Sequence, residues 1–141
     1  MNTCRYEYAT IKKNPKRGRP QTLDRDAVLK IALTSYWTGR PTHVAISHIC
    51  KVADVSKPSL YHEFGSDDVL KAAVLDLYSE LVLGPFQNIL TSNEGFAQQI
   101  EALIAFTTQD RQSLGIPSGC LQVALRAHRE GLGEITGNKV D

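Results

Sequence analysis

Three groups of side chains in this sequence lie close enough together to do chemistry. His43, His48 and Cys50 fall within eight residues and carry donor atoms for a metal ion. Their spacing fits no familiar zinc signature and a fourth ligand is missing, so no metal site is expected. His48 then reads as a surface or partly packed histidine beside an apolar helix face. Lys57, Ser59, Tyr61 and His62 form a second group: a cation, two hydroxyls and an imidazole on the polar side of a short helix. Those are the side chains left to point away from the core, where a groove about 12 Å wide can admit such a helix. The third group is Lys16-Arg17-Gly18-Arg19-Pro20, where a glycine lets the backbone approach closely and two flanking arginines meet a strong negative potential, as in a narrow minor groove. The sequence has no Gly-rich phosphate loop, no nucleophile elbow and no His-Glu-x-x-His pair. An enzymatic role is therefore not expected, and no cofactor is implied.

The elements that must position these groups are helical. Residues 1–22 are polar and basic, with Pro15, Gly18 and Pro20 breaking any periodicity, and read as an arm. Asp24 is a suitable N-cap for a first helix, in which Val28, Leu29, Ala32, Leu33 and Tyr36 recur at helical spacing until Gly39 and Pro41 end it. Ile46, Ile49, Cys50 and Ala53 share one face of a short second helix. Asp54-Val55-Ser56 makes a tight turn, and Ser56 caps a third helix running from Lys57 to about Phe64, with Pro58 tolerated in its first turn.

Ser66 caps a fourth helix whose stripe of Val69, Leu70, Ala73, Val74, Leu77 and Leu81 ends where Gly84-Pro85 should break or kink it. A fifth is predicted from about Glu94 to Gln109 and a sixth from near Ser118, while the glycines and polar residues past Arg129 suggest a frayed end. No segment alternates as a strand. The fold expected is all-α: a three-helix helix-turn-helix unit followed by a short helical domain, divided as arm 1–22, helix-turn-helix 23–66, and linking helix with remaining helices 67–141.

Composition agrees with a globular chain: 42% hydrophobic and 22% charged over 141 residues. The net charge of +1 conceals an asymmetry. Residues 1–65 carry eleven Lys/Arg against five Asp/Glu, and residues 66–141 carry five against ten. A basic front and an acidic back suit a chain that meets a polyanion at one end, although a basic arm can also serve solubility alone. No apolar run approaches the length of a membrane span, and Met1 to Thr10 has no apolar signal core. Cys4, Cys50 and Cys120 are odd in number and far apart, as expected of reduced thiols. The cytoplasm is the expected compartment.

The run from Ile49 to Ser66 resembles the helix-turn-helix signature of the TetR/AcrR family of transcriptional regulators. The match is carried by Val55-Ser56-Lys57, by Leu60-Tyr61 with Phe64, and by Gly65-Ser66 leading into a longer helix. It extends over about residues 18–80, and Pro117-Ser118-Gly119-Cys120-Leu121 looks like a segment of the regulatory domain of some members. The resemblance implies double-stranded DNA as partner. Lys57 and Tyr61 would meet phosphates; Pro58, Ser59 and His62 would lie near base edges; Leu60 and Phe64 would be buried. For Tyr61 the alternative is a half-buried core aromatic, and for His62 simple solvation.

Arg17 and Arg19 resemble the core of an AT-hook and would reach the minor groove. Where the family has Thr or Ser at the start of the second helix, this chain has Val44 and Ala45, so Thr42 or Ser47 would have to substitute. Asp54 stands where the turn often has Gly, and Asp67 where a phosphate-binding Lys is common. The resemblance further implies a repressor that binds a pseudo-palindrome as a homodimer and responds to a small-molecule effector. Phe86, Phe96, Ile100, Leu103, Ile104 and Phe106 could line the effector pocket or form ordinary core. The C-terminal region is short for the family, as in a truncated member. A helical protein-interaction module without DNA binding would share the amphipathic helices, but needs neither the basic arm nor the outward Lys57, Tyr61 and His62.

Overall fold

The computed structural model describes residues 23–39, 41–110, 113 and 117–141, so Arg17 and Arg19 lie outside the described residues. Among the described residues eight α-helices follow in order: α1 Arg25–Thr38, α2 Ile46–Ala53, α3 Lys57–Phe64, α4 Asp67–Tyr78, α5 Gly84–Leu90, α6 Phe96–Thr107, α7 Leu121–Arg126 and α8 Glu134–Val140. A π-helical turn, Ser79–Leu83, joins α4 to α5, and a 3₁₀ turn, Arg129–Gly131, precedes α8. The architecture is all-α, with no strand among the described residues. Among those residues no helix is long and apolar enough to cross a membrane.

Short-range chemistry sets the first four helices. Asp24 caps α1 by accepting the Ala27 N–H at 3.1 Å. At the other end, the Gly39 N–H bonds the Ser35 carbonyl, and a Cβ at Gly39 would lie 2.9 Å from both that oxygen and Val44 Cγ2. The chain can turn there only without a side chain. Asp54 closes α2 in the left-handed region at φ 56°, one of the few non-Gly residue types that accept it. Ser56 caps α3 through the Ser59 N–H at 3.2 Å, and Ser66 caps α4 through the Val69 N–H at 3.2 Å. Gly65, at φ 82°, makes the corner between them.

The core is assembled by α1, α2, α3, α4, α7 and α8. Val28, Ala32 and Tyr36 of α1, Ile49 of α2, Leu60 and Phe64 of α3, and Leu70, Val74 and Tyr78 of α4 are all buried in it. Leu121, Leu125 and Val140 complete it from the C-terminal side. Trp37 meets Tyr78 edge-on with centroids 5.0 Å apart, and its indole N–H donates to the Gly119 carbonyl at 3.2 Å. Residues far apart in sequence thus close one apolar interior, which is where most of the folding free energy resides.

Two regions depart from the sequence-based expectation. Of the break or kink expected at Gly84-Pro85, the break does not occur: residues 67–90 stay helical, and the Gly84 N–H bonds the Ser79 carbonyl five residues back. Widening the turn immediately before Pro85 accommodates its missing N–H and the bulk of its ring. The end past Arg129 is not frayed either. Helix α8 buries Thr136, Gly137 and Val140 against α4. Its partner for the first turn is the Asp68 carboxylate, which accepts the N–H groups of Ile135 at 2.9 Å and Thr136 at 3.0 Å. Burial acts to raise the Asp68 pKa, but the bonds from Thr136 and Ile135 and the Lys71 charge outweigh it and hold the carboxyl below its ordinary range. An ion pair from Lys139 to Asp76, 2.5 Å, fastens the far end.

Candidate nucleic-acid interface

Helix α3 is eight residues long and divides cleanly by side-chain type. Leu60 and Phe64, four apart and so on one face, are buried, at 0% and 3% exposure. Lys57, Pro58, Ser59, Tyr61, His62 and Glu63 are all exposed. Tyr61 keeps 40% of its surface in solvent and stands outside the core. The helix is pinned by its inner face, and its outer face is left to solvent.

Its two ends are fixed independently. At the N-terminus Ser56 Oγ accepts the Ser59 amide and shares a 2.8 Å bond with the Ser59 hydroxyl, which draws that hydroxyl toward the cap. At the C-terminus Arg25 lies over the Phe64 ring, 5.0 Å from its centroid, and pairs with Glu63 at 3.2 Å. The pair is solvent-exposed and contributes little energy, on the order of 1 kcal/mol or less, but it neutralises the single acid of α3. Lys51 and Lys57 form no ion pair among the described residues. The exposed Asp54 in the turn between α2 and α3 forms no ion pair among the described residues either, so it offsets one of these two cations.

Helix α2 presents Ser47, His48, Lys51 and Val52 to solvent while Ile46, Ile49 and Cys50 face inward. Ser47 lies in its first turn. Thr42 is half-buried, its hydroxyl 3.3 Å from His43 Nδ1. Neither caps α2: the N-cap is Ala45, which offers no side-chain acceptor. His43 and His48 are exposed while Cys50 is buried, and among the described residues no three His, Cys, Asp or Glu side chains gather in a metal-binding group. Burial pushes the Cys50 thiol above its ordinary pKa, against the opposing pull of Lys57.

Asp67, in the first turn of α4, is occupied within the fold. It accepts the Tyr36 hydroxyl at 3.1 Å and the Lys71 ammonium at 2.8 Å. Burial, followed by the nearby Asp67 charge, holds the Tyr36 hydroxyl far above its ordinary pKa and thus neutral. The Asp67 charge is thereby shared with Lys71 and a phenol rather than presented alone. The sequence pattern identified Asp67 as a departure but not as an internal ligand, because the Tyr36 contact requires the packed α1–α4 interface, whereas the Lys71 contact is an i,i+4 pair within α4.

The six apolar residues considered for an effector pocket are split by the structure. Phe86 and Phe106 are half-buried and face each other at 6.2 Å, and Leu103 is half-buried. Phe96, Ile100 and Ile104 are exposed, Phe96 to 79%. A separate cleft of about 240 Å³ opens between α1 and the end of α4, lined by Asp26, Leu29, Lys30, Leu77 and Glu80.

No family model matches the chain, and no solved structure matches it. Among curated proteins it is similar to the HTH-type transcriptional repressor ComR of Escherichia coli, at 28% identity over 116 residues. The alignment covers 76% of this chain and 51% of the relative, so the chain spans about half the length of the curated protein it matches.

Proposed function

We propose that this chain is a DNA-binding transcriptional regulator of the TetR type, a repressor that reads duplex DNA with the outer face of α3. The observation that carries the reading is the division of α3: Leu60 and Phe64 locked in the core, with Lys57, Pro58, Ser59, Tyr61 and His62 projecting together into solvent. A helix so presented matches the width of a major groove, about 12 Å. Lys57 and Tyr61 serve as phosphate anchors that set register, and Pro58, Ser59 and His62 lie nearest the base edges. Ser47 and Thr42 at the entry to α2 would approach the backbone, and Arg17 and Arg19 of the arm the adjacent minor groove. The similarity to a named helix-turn-helix repressor supports the same role. Binding as a two-fold dimer to a pseudo-palindrome, and release by a small molecule near Phe86, Leu103 and Phe106, are further parts of this proposal.

A second reading, a helical interaction module without DNA binding, is favoured by one observation: the apolar residues Phe96, Ile100 and Ile104 of α6 stand uncovered. Duplex titration separates the two. A regulator takes up a random-sequence duplex at low salt and loses it steeply as salt rises, because each neutralised phosphate releases counterions. An interaction module takes up none.

A further inference from the structure

The Asp68 carboxylate lies at the start of α4, two residues after the Ser66 cap that follows the α3 corner, yet it serves a helix whose first residue is 66 positions further along the chain. It accepts the Ile135 and Thr136 amides of α8, and the Thr136 hydroxyl reaches both that carboxylate and, at 2.9 Å, the Asp68 backbone carbonyl. Thr136 is completely buried. The approach is so close that a Cβ on Gly133 would fall 2.2 Å from Asp68 Cγ, a position no other residue type can occupy without displacing the carboxylate. The neighbouring acid Asp67 holds Tyr36 of α1. The two adjacent carboxylates therefore tie the α3–α4 junction in two directions, Asp67 to α1 and Asp68 to α8.

We propose that Asp68 is a positioning residue for the DNA-reading helix, fixing the α3–α4 junction by clasping α8; this rests on the DNA-binding reading above. The physical basis is leverage. Helix α3 is short, its C-terminus runs through Gly65 directly into Ser66 and α4, and few backbone torsions separate Asp68 from Phe64. When the clasp is closed, the start of α4 is held between α1 and α8, and the outer face of α3 is presented in one orientation. When it opens, the junction gains freedom, and DNA binding must restrict that freedom before contacts form. Asp68 touches no DNA in this scheme; it acts through α3.

The test is duplex affinity, read by fluorescence anisotropy with a random-sequence duplex at low salt and well below the melting temperature. Asp68→Asn and Thr136→Val are each expected to weaken binding about tenfold, or about 1.4 kcal/mol. The salt slope should stay that of the wild type, since no phosphate contact is removed. Thr136→Ser, which keeps the hydroxyl, should retain wild-type affinity. Amide exchange over residues 57–66 should quicken in Asp68→Asn without DNA present. A lower melting temperature with unchanged affinity and unchanged exchange in α3 would mean that Asp68 only stabilises the fold, and would overturn the inference alone. A wild type that takes up no duplex would overturn the DNA-binding reading and the inference with it.

Discussion

Helices α4 and α6 are both twelve residues long, and α6 carries a single charged residue against four in α4. Yet α4 buries Leu70, Ala72, Val74, Leu75 and Tyr78, while α6 buries none of its residues. The difference lies in what surrounds each helix. Helix α4 is enclosed by α1, α3, α7 and α8, so every apolar residue on its inner side finds a partner. Among the described residues the larger contacts of α6 are with α5, through the Phe86–Phe106 pair, and its Gln99 side-chain amide donates to the Ser92 carbonyl just past α5 at 2.9 Å. Apolar composition states that a helix face would gain from cover; it does not supply the cover. An isolated helix of this length is marginal in water, so α6 depends on α5 in a way that α4 depends on no single neighbour.

The contrast can be broken most forcefully in the core. Leu70→Ala removes a fully buried side chain from α4 and should cost about 2–5 kcal/mol in denaturant unfolding. Ile104→Ala, in α6, should change the same measurement by about 0.5 kcal/mol or less, as for an exposed position. Equal losses at the two sites would mean that α6 is covered in solution.

On the outer face of α3, Lys57→Ala or Tyr61→Ala should weaken duplex binding by about 1.5–3 kcal/mol, the scale of a hydrogen bond to a charged group, with no comparable loss of stability. In Lys57→Ala the slope of log affinity against log salt should also flatten by about one. Next in size is Ser66→Ala, which deletes the α4 cap and should lower stability by about 1 kcal/mol in thermal unfolding.

The smallest effect concerns acid. Because the Asp68 pKa is lowered on folding, its contribution is fully present above the unfolded carboxyl value of about 3.9 and is lost only as pH falls through the lower native value. The unfolding free energy of the wild type should therefore fall more steeply below that range than that of Asp68→Asn. Parallel curves would show that the carboxylate is not ionised in the clasp.

Much of the enclosed region could be read before any coordinates. Asp24, Ser56 and Ser66 are strong caps placed immediately before apolar periodicity, and α1, α3 and α4 begin where those residues put them. The left-handed turn at Asp54 and the division of α3 into Leu60 and Phe64 against its polar residues follow from the same local rules. The π-helical turn before Pro85 was not visible, because a Gly-Pro pair signals a break or a kink whether or not the helix can widen to absorb it. Helix α8 was hidden for a different reason. Its sequence, with Thr136, Gly137 and Asn138, is a poor helix former, and its stabilising partners Asp68 and Asp76 lie more than 60 residues away. Of the candidate interface, residue types and their face on α3 were legible. The roles of Asp67 and Asp68 were not, since an acid in a first turn looks the same whether it meets solvent, a neighbouring tyrosine or a distant helix.

The measurement that bears most directly on the outer face of α3 is titration of the wild-type chain into a labelled random-sequence duplex at two salt concentrations, followed by sedimentation of the complex. Uptake at low salt that falls steeply at the higher salt, with Lys57→Ala showing a shallower fall, is the expected result. No uptake at low salt, or a salt dependence identical in wild type and Lys57→Ala, would contradict the assignment of α3 as a DNA-reading helix.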